Sequence, residues 1–302
     1  MADLDLDPFL FSTLQLFAGG IVLTILSRQP VNWRDFLLDK YTLIYGLARV
    51  GTGAFFTAAL VHVVASSASM LGIFNVTVGI LIAIALHRKL PGRRELVGHL
   101  LIAAGFLALC LHLEGGFRNP AVIYMLASEV CVVVSTLAAE KHPQNQGDNS
   151  ARRAYLTGVL LTVSGFLTVL VTLGLHATSV AVFGMGPGND PSVLLSHLFR
   201  PDIWIAGALF GIFLRGPVVY FSLRAIQQAG GQSYLAFSAF LPFLSLGLER
   251  AAAAIGFDSG IQTTSVQVMI GLVMVIGSLW VLACQQNWPI ADWIARGARA
   301  KS

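Results

Sequence analysis

Three charged side chains lie well inside long apolar stretches of this 302-residue sequence: Arg49, Glu129 and Arg215. A charged group in hydrocarbon is costly, so such a residue usually marks a cavity, a buried partner or a functional site. Two arginines in this setting can bind a carboxylate or a phosphate, because the guanidinium fork matches both anions. Glu129 can hold one of the arginines or carry a coupling proton. Two structural alternatives stay open: Glu129 and one arginine form a buried pair that fixes helix packing, or Arg49 extends to the membrane surface.

Uncharged polar residues also lie inside the apolar stretches. Asn75 lies in the middle of one apolar stretch, and Tyr234 and Ser238 lie in the matching part of a later one. Tyr220 carries a hydroxyl group that needs a partner when it is buried. Glu249 is nearer the end of its stretch and is expected to cap a helix or to pair at the interface. The predicted substrate-binding residues are Arg49, Asn75, Glu129, Arg215, Tyr220, Tyr234 and Ser238.

Motifs of the common enzyme classes do not occur in the sequence. There is no paired-histidine metal box, no Gly-Lys-Ser/Thr phosphate loop, no nucleophile elbow and no spaced acidic pair. The cysteines lie in apolar segments without the spacing of metal ligands. We therefore predict no enzyme activity, no catalytic residue, no metal site and no cofactor. Without an ATP-binding loop, transport by this chain would be secondary, driven by a gradient or by exchange.

The composition places these residues in a membrane protein. Hydrophobic residues make up 56% of the chain and charged residues only 11%, whereas a soluble domain carries about 25% charged residues. The apolar residues form blocks of about 20, the length that a helix needs to cross the hydrocarbon core. We predict an all-α, polytopic bundle of transmembrane helices that occupies residues 1–302 as a single membrane domain. The net charge of +4 comes from short basic runs between blocks, so no nucleic-acid partner is expected.

Nine apolar blocks are predicted to be transmembrane helices. They are Pro8–Leu26, Tyr41–Val61, Ala68–Leu86, Leu96–Leu113, Ala121–Ala139, Tyr155–Leu175, Ile203–Leu223, Ser233–Ala254 and Val266–Cys284. Asp7-Pro8 is typical of a helix start, because proline is tolerated at the first helical position.

The loops between these blocks alternate in charge. Basic residues follow the first, third, fifth, seventh and ninth blocks, for example in the runs 87–89 and 152–153. The positive-inside rule places those loops in the cytoplasm, with the N-terminus outside and the C-terminus inside. We expect a bacterial inner-membrane protein. Residues 285–302 are predicted to form an amphipathic segment on the cytoplasmic surface. The loop from His176 to Arg200 is predicted to lie outside, with a short helix at Pro191–Phe199.

Two parts of the chain share one pattern. Residues 59–86 and 222–249 each read as the end of a span, a polar turn, and a second span with a candidate break, Pro242 in the second case. The polar turns are Ala65–Ser69 and Gln227–Gln232. The charge rule puts them on opposite sides of the membrane, so the two halves, 8–113 and 121–284, are predicted to be inverted repeats. Inverted repeats are typical of secondary transporters with a site near the bilayer midplane.

The same residues resemble the drug/metabolite transporter superfamily, and in particular its EamA-type members. The similarity is strongest over residues 59–107 and 215–279 and extends to nearly the whole chain. It implies two inverted repeats of five helices each, ten in all, with both termini cytoplasmic. The first span here matches the second helix of the family, so the first repeat lacks its first helix. Either this is a nine-span variant or the sequence begins downstream of the natural start.

Two further departures from the family are visible. The acidic residue that commonly ends the fourth family helix is replaced around His87-Arg88, although Glu249 keeps it in the second half. The outside loop after Leu175 is also longer than usual.

These features lead to two functional hypotheses. The first is a secondary carrier of a small metabolite that works by alternating access. The resemblance implies an amino-acid-like cargo, and the arginines favour an anionic one. The second is a flippase of a lipid-linked intermediate, or a non-transporting accessory subunit. The expected partners are a small-molecule solute, membrane lipid, and other subunits in a homo- or hetero-oligomer.

Overall fold

The computed structural model describes residues 8–32, 34, 39–87, 90–147, 149–183, 201–256 and 263–284. Within these ranges the regular secondary structure is helical and contains no strand, which confirms the predicted all-α fold. The helices are α1 (Pro8–Leu26), α2 (Lys40–Leu60), α3 (Ala65–Gly72), α4 (Asn75–His87), α5 (Arg93–Leu111), α6 (Pro120–Lys141), α7 (Ser150–Phe183), α8 (Pro201–Phe210), α9 (Gly216–Ala229), α10 (Gly231–Ser238), α11 (Leu241–Ala254) and α12 (Ser265–Cys284). A π-helical turn, Gly211–Arg215, joins α8 to α9.

Eight helical segments within the described residues are long and apolar enough to cross a membrane. They correspond to the second through ninth predicted spans, with α3–α4, α8–α9 and α10–α11 each counted as one segment. The first predicted span forms α1, whose apolar part from Phe11 to Leu26 is shorter. As predicted, α1 begins at Pro8. The chain is therefore a polytopic, integral membrane protein.

The chain forms two compact units. Unit 1 contains residues 1–50 and 135–227, and unit 2 contains residues 51–134 and 228–302. The divisions fall inside α2, α6 and α9, so each of these three helices contributes residues to both units.

In unit 1, α1 packs closely against α7 through two glycine–threonine pairs. A methyl group built on Gly20 would lie 2.5 Å from Thr162 Oγ1, and one on Gly158 would lie 2.7 Å from the carbonyl oxygen of Gly20 and would overlap Thr24. Each threonine hydroxyl donates to the carbonyl of the glycine four residues before it, at 2.8 Å for Thr24 and 2.9 Å for Thr162. Small residues permit this approach of two backbones in lipid. The contact is reciprocal, since each Gly-x-x-x-Thr segment meets the other.

In unit 2, α5 and α12 pack in the same manner. A methyl group on Gly98 would lie 2.6 Å from the carbonyl oxygen of Gly277, and one on Gly277 would lie 2.8 Å from the carbonyl oxygen of Gly98. Leucine or valine at either position would separate the two backbones. Both close helix contacts therefore depend on glycine.

Two predicted spans are interrupted helices. The third is divided into α3 and α4 at Ile73-Phe74, and the eighth is divided into α10 and α11 at Ala239-Phe240. The break in the eighth span lies before Pro242, which is in the first turn of α11. Proline is compatible with that position because the first amides of a helix have no intrahelical acceptor.

The two predicted polar turns are wrong in extent. Ala65–Ser69 belongs to α3, and the real turn lies at residues 61–64. Residues 227–229 belong to α9, and the chain turns at Gly230 with a φ of 82°. Serine and glutamine are frequent in turns, but here Ser66 and Ser67 are buried in α3, whereas the glutamines of the second predicted turn are helical residues that are half-buried or exposed.

The sixth predicted span is longer than expected. Helix α7 continues to Phe183, so the first part of the predicted loop after Leu175 is helical. The expected helix at Pro191–Phe199 and the expected tail segment at 285–302 lie outside the described residues.

Candidate functional site

The interrupted helices cross each other within unit 2. The short arm α3 packs on α11, and the short arm α10 packs on α4. Ser69 Oγ lies 3.4 Å from Ser245 Oγ, and Gln232 Nε2 donates to the carbonyl oxygen of Val76 at 3.0 Å. The Gln232 side chain thus ties the first turn of α10 to a backbone acceptor in the first turn of α4.

The start of α3 is capped from α11. Glu249 Oε1 accepts a hydrogen bond of 2.9 Å from the backbone amide of Ser66, in the first turn of α3. A carboxylate at a helix N-terminus stabilises the exposed amides and the positive end of the helix dipole. Glu249 therefore caps a helix, one of the two roles that were expected for it.

One hydrogen bond joins the two breaks. Asn75, the first residue of α4, donates through Nδ2 to Ser238 Oγ at 3.3 Å, and Ser238 is the last residue of α10. Ser238 in turn donates to the carbonyl oxygen of Leu235 at 2.7 Å. Asn75 is only 6% exposed, and its Oδ1 has no hydrogen-bond partner among the described residues. The side chain of Asn75 therefore has one buried acceptor without a described partner, at the point where the two breaks meet.

Glu129 lies beside the same point. It projects from α6, is 4% exposed, and interacts with the Asn75 side chain. A methyl group on Gly72, the last residue of α3, would lie 3.2 Å from Glu129 Oε1. The carboxyl group therefore faces the C-terminal end of a helix, which carries partial negative charge. Ion-pair geometry is seen for Glu95 with His99 and for Asp39 with His142, and Glu129 belongs to neither pair.

The bond between Asn75 and Ser238 provides a modest stability test. Replacing Ser238 with alanine removes the acceptor of the Asn75 amide, and we expect a loss of about 0.6–1 kcal/mol, the usual range for such bonds in membranes. Thermal unfolding of the purified protein in detergent measures the change. Ser265→Ala, at an exposed helix start, is the matched control and should leave the melting temperature unchanged. Equal melting temperatures for both variants would contradict the assigned bond.

In unit 1 the π-helical turn ends at Arg215. The turn packs tightly on α1, because a methyl group on Gly211 would lie 2.9 Å from the Cα atom of Gln15, and one on Gly19 would lie 2.6 Å from the carbonyl oxygen of Gly211. π-turns are rare and occur often at functional sites, since the extra residue shifts the direction of the side chains that follow. The turn thus sets the position of Arg215.

Arg215 has a second arginine as its charged neighbour. Arg49 acts on it electrostatically, and so does Tyr45, which lies one turn before Arg49 on α2. Both arginines are half-buried, and Arg215 Nε is buried without a hydrogen-bond partner among the described residues. Neither guanidinium is in an ion pair with a described carboxylate. Two arginines that form no ion pair with a described carboxylate are compatible with an anion-binding site, because the guanidinium fork matches a carboxylate or a phosphate.

The structure thus brings the predicted site residues together in two groups. Asn75, Glu129 and Ser238 form one group in unit 2, and Arg49 and Arg215 form the other in unit 1. Tyr220 and Tyr234 are half-buried and are assigned to neither group. The ring of Tyr220 lies edge-on to that of Phe221, with centroids 5.5 Å apart. The backbone amide of Tyr234 donates to Gly230 in the first turn of α10.

Two residues of these groups were not predicted. Tyr45 lies four residues before Arg49, so helical spacing on one face is the signal that identifies it. Gly72 has no comparable signal, because only the helix break brings its backbone to the Glu129 carboxyl group.

Comparisons with known proteins support the fold alone. No protein-family model matches this chain, and no curated protein sequence matches it. One solved crystal structure superposes with a TM-score of 0.54 and 18% sequence identity, over 91% of this chain and 87% of the other. A likeness at that identity extends to the helical architecture and not to the side chains of either group.

Proposed function

We propose that this protein is a secondary transporter of a small anionic or amino-acid-like metabolite, working by alternating access between two inverted repeats, as the EamA-type resemblance implies. The observation that carries the proposal is the crossing of two interrupted helices, with the buried amide of Asn75, the half-buried hydroxyl of Ser238 and the buried carboxyl group of Glu129 near their breaks. Discontinuous helices that place polar groups in the membrane are a recurrent feature of secondary transporters. Packed helices with a purely structural role need no such breaks.

The reciprocal helix contacts support the repeat. At the contact of α1 with α7, the glycine of each helix lies against the threonine of the other. The helices α3 and α10 are each 8 residues long. Such exchange is expected where two similar segments are related by a local two-fold axis. In the proposed arrangement the protein lies in a bacterial inner membrane with its C-terminus in the cytoplasm, in agreement with the charges of the loops.

The two groups of polar residues have different roles in this proposal. The arginines bind the anionic part of the solute, since neither is in an ion pair with a carboxylate of the described residues. Glu129 carries the coupling proton, because it faces a helix C-terminus and has no cationic partner within the described part of the chain. A neutral carboxyl group is tolerated in that position better than a carboxylate.

The test is a proteoliposome uptake screen that compares the wild type with Arg215→Ala. We expect a panel of carboxylates and phosphates to include at least one solute that the wild type accumulates, and we expect Arg215→Ala to reduce its uptake about 100-fold, the typical loss when a buried charged contact is removed. Arg224→Ala is the matched control, because Arg224 is on the same span and exposed. Its uptake should equal that of the wild type.

Two outcomes would argue against the proposal. Equal uptake by the wild type and Arg215→Ala would remove Arg215 from the mechanism. Absence of uptake for every solute, with movement of a lipid-linked sugar or no movement at all, would favour the flippase or accessory-subunit hypothesis.

A further inference from the structure

Buried oxygen atoms collect at the crossing of the interrupted helices in unit 2. The side-chain amide of Asn75 donates to Ser238 Oγ at 3.3 Å and is also hydrogen-bonded to the Glu129 carboxyl group. Asn75 Oδ1 is buried without a hydrogen-bond partner among the described residues. A carboxylate has about four acceptor positions, so one amide donor leaves most of them unused. The crossing therefore offers several acceptors from two buried side chains.

The backbone amides at the break in the third span already have acceptors. Those of Ile73 and Phe74 donate back into α3 at 3.2 and 3.1 Å, and those of Val76 and Thr77 donate to the carbonyl groups of the break at 3.3 and 2.9 Å. These four N–H groups are therefore engaged within the break. They do not stabilise a negative charge on Glu129 in the way that a helix N-terminus otherwise would.

The surrounding charge favours a cation. Glu129 Oε1 faces the backbone at Gly72, where an added methyl group would lie 3.2 Å from it, and Gly72 is the C-terminal residue of α3. The short helix α10 also ends at this crossing, at Ser238. A helix C-terminus attracts positive charge and repels a carboxylate, and an ionised carboxylate in the membrane needs a partner. One positive charge would satisfy the carboxylate and both helix ends.

The ligand atoms and the packing indicate what carries that charge. Amide, carboxylate and backbone oxygen atoms suit a hard metal cation, and helix ends at such breaks hold Na⁺ in other transporters. The site has a single carboxylate, so a divalent ion would keep an uncompensated charge. The methyl position on Gly72 also lies 3.8 Å from Met125 Cε. A single small ion fits between such closely packed groups, whereas an organic ammonium group brings a carbon chain with it.

We propose that the crossing of α3–α4 with α10–α11 binds one dehydrated sodium ion, held by the Glu129 carboxylate and Asn75 Oδ1 at the C-terminal end of α3. This inference rests on the proposed function and adds a second coupling ion at the same residue. The Glu129 carboxyl group then holds either the coupling proton or a sodium ion, and the two ions compete.

A binding experiment on the purified, full-length protein tests this without transport. Melting temperatures are measured in detergent while sodium chloride replaces choline chloride, at constant total chloride and constant pH. We expect the melting temperature of the wild type to rise with sodium and to reach a plateau, as mass action requires for a ligand that binds the folded state. Potassium and methylammonium should bind at least about tenfold more weakly than sodium.

A pair of substitutions at Asn75 separates an oxygen ligand from a structural role. Asn75→Asp and Asn75→Ala both remove the donor to Ser238, but only aspartate keeps an oxygen atom at the position of Oδ1. We expect Asn75→Asp to retain the sodium affinity and Asn75→Ala to lose at least about threefold. A merely structural asparagine would make the two variants respond alike. Each variant is compared with and without sodium, so a general loss of stability cancels.

Glu129→Gln supplies the charge test. It keeps the shape of the side chain, and we expect the sodium affinity to fall at least about tenfold. Glu114→Gln, at an exposed position in the same unit, is the matched control and should bind sodium like the wild type.

Three results would overturn the inference: equal wild-type melting temperatures in sodium and choline, a response to potassium or methylammonium as strong as that to sodium, or an unchanged sodium response in Glu129→Gln. Sodium binding without uptake of any solute would count against the transporter alone. Proton-driven uptake by a wild type that does not respond to sodium would count against this inference alone.

Discussion

Replacing Gly158 with alanine is expected to destabilise the protein by about 3 kcal/mol, the upper part of the range for overpacked sites. The added methyl group would overlap Thr24 and approach the carbonyl oxygen of Gly20 to 2.7 Å. These neighbours cannot move away easily, because the carbonyl belongs to the backbone of α1 and the threonine is held by its own hydrogen bond. The helices α1 and α7 would have to separate. Thermal unfolding in detergent and the yield of monodisperse protein measure the effect.

Gly53→Ala is the matched control for that experiment. Gly53 is also in a transmembrane helix, α2, and a methyl group there would meet nothing within 4 Å. Alanine is favoured over glycine in a helix by about 1 kcal/mol, so this variant should be as stable as the wild type or slightly more so. If Gly158→Ala were as stable as Gly53→Ala, the close contact of α1 with α7 would be refuted.

The second large effect is expected at Glu129. Glutamine has the same shape and keeps the contacts with Gly72 and Asn75, but it cannot exchange a proton. In proteoliposomes with an inward proton gradient, Glu129→Gln should reduce accumulation of the solute found in the uptake screen at least about tenfold, as for a lost coupling free energy of 1–3 kcal/mol. Exchange of the solute across the membrane without a gradient should persist, because the arginines are unchanged.

A control on the same helix separates this effect from a general loss of charge. Glu140→Gln, at the end of α6, should accumulate solute like the wild type. Proton-driven accumulation by Glu129→Gln at the wild-type level would exclude Glu129 as the proton carrier. Loss of both accumulation and exchange would show that Glu129 is needed for the fold or for binding, and not for coupling alone.

The eight long apolar helices were predictable because hydrocarbon thickness fixes the length of an apolar block. The breaks in two of these helices were less predictable. Pro242 suggested a break in its own helix, yet the interruption precedes it, since proline fits the first turn of α11. Nothing in the residues Ile73-Phe74 marks a break. That interruption depends on tertiary partners, such as the Gln232 amide that bonds to Val76 from more than 150 residues away.

The candidate site was also predictable only in part from the sequence. Arg49, Glu129 and Arg215 were identified from sequence because a charge in an apolar block is conspicuous. Asn75 and Ser238 were also predicted to be site residues, but the hydrogen bond between them was not, because it joins segments 163 residues apart. Gly72 matters only through its missing side chain, which lets a carboxyl group reach the end of α3. Such a role has no signature in a single sequence.

The cap provided by Glu249 has a mechanical consequence. A two-turn arm of 8 residues is a rigid lever about 12 Å long, and the breaks at its far end act as hinges. The base of α3 is held to α11 by the carboxylate of Glu249, and the base of α10 is held to α4 by the neutral side-chain amide of Gln232. A hydrogen bond to a charged group is the stronger of the two, so a rocking movement meets less resistance at the base of α10 than at the base of α3.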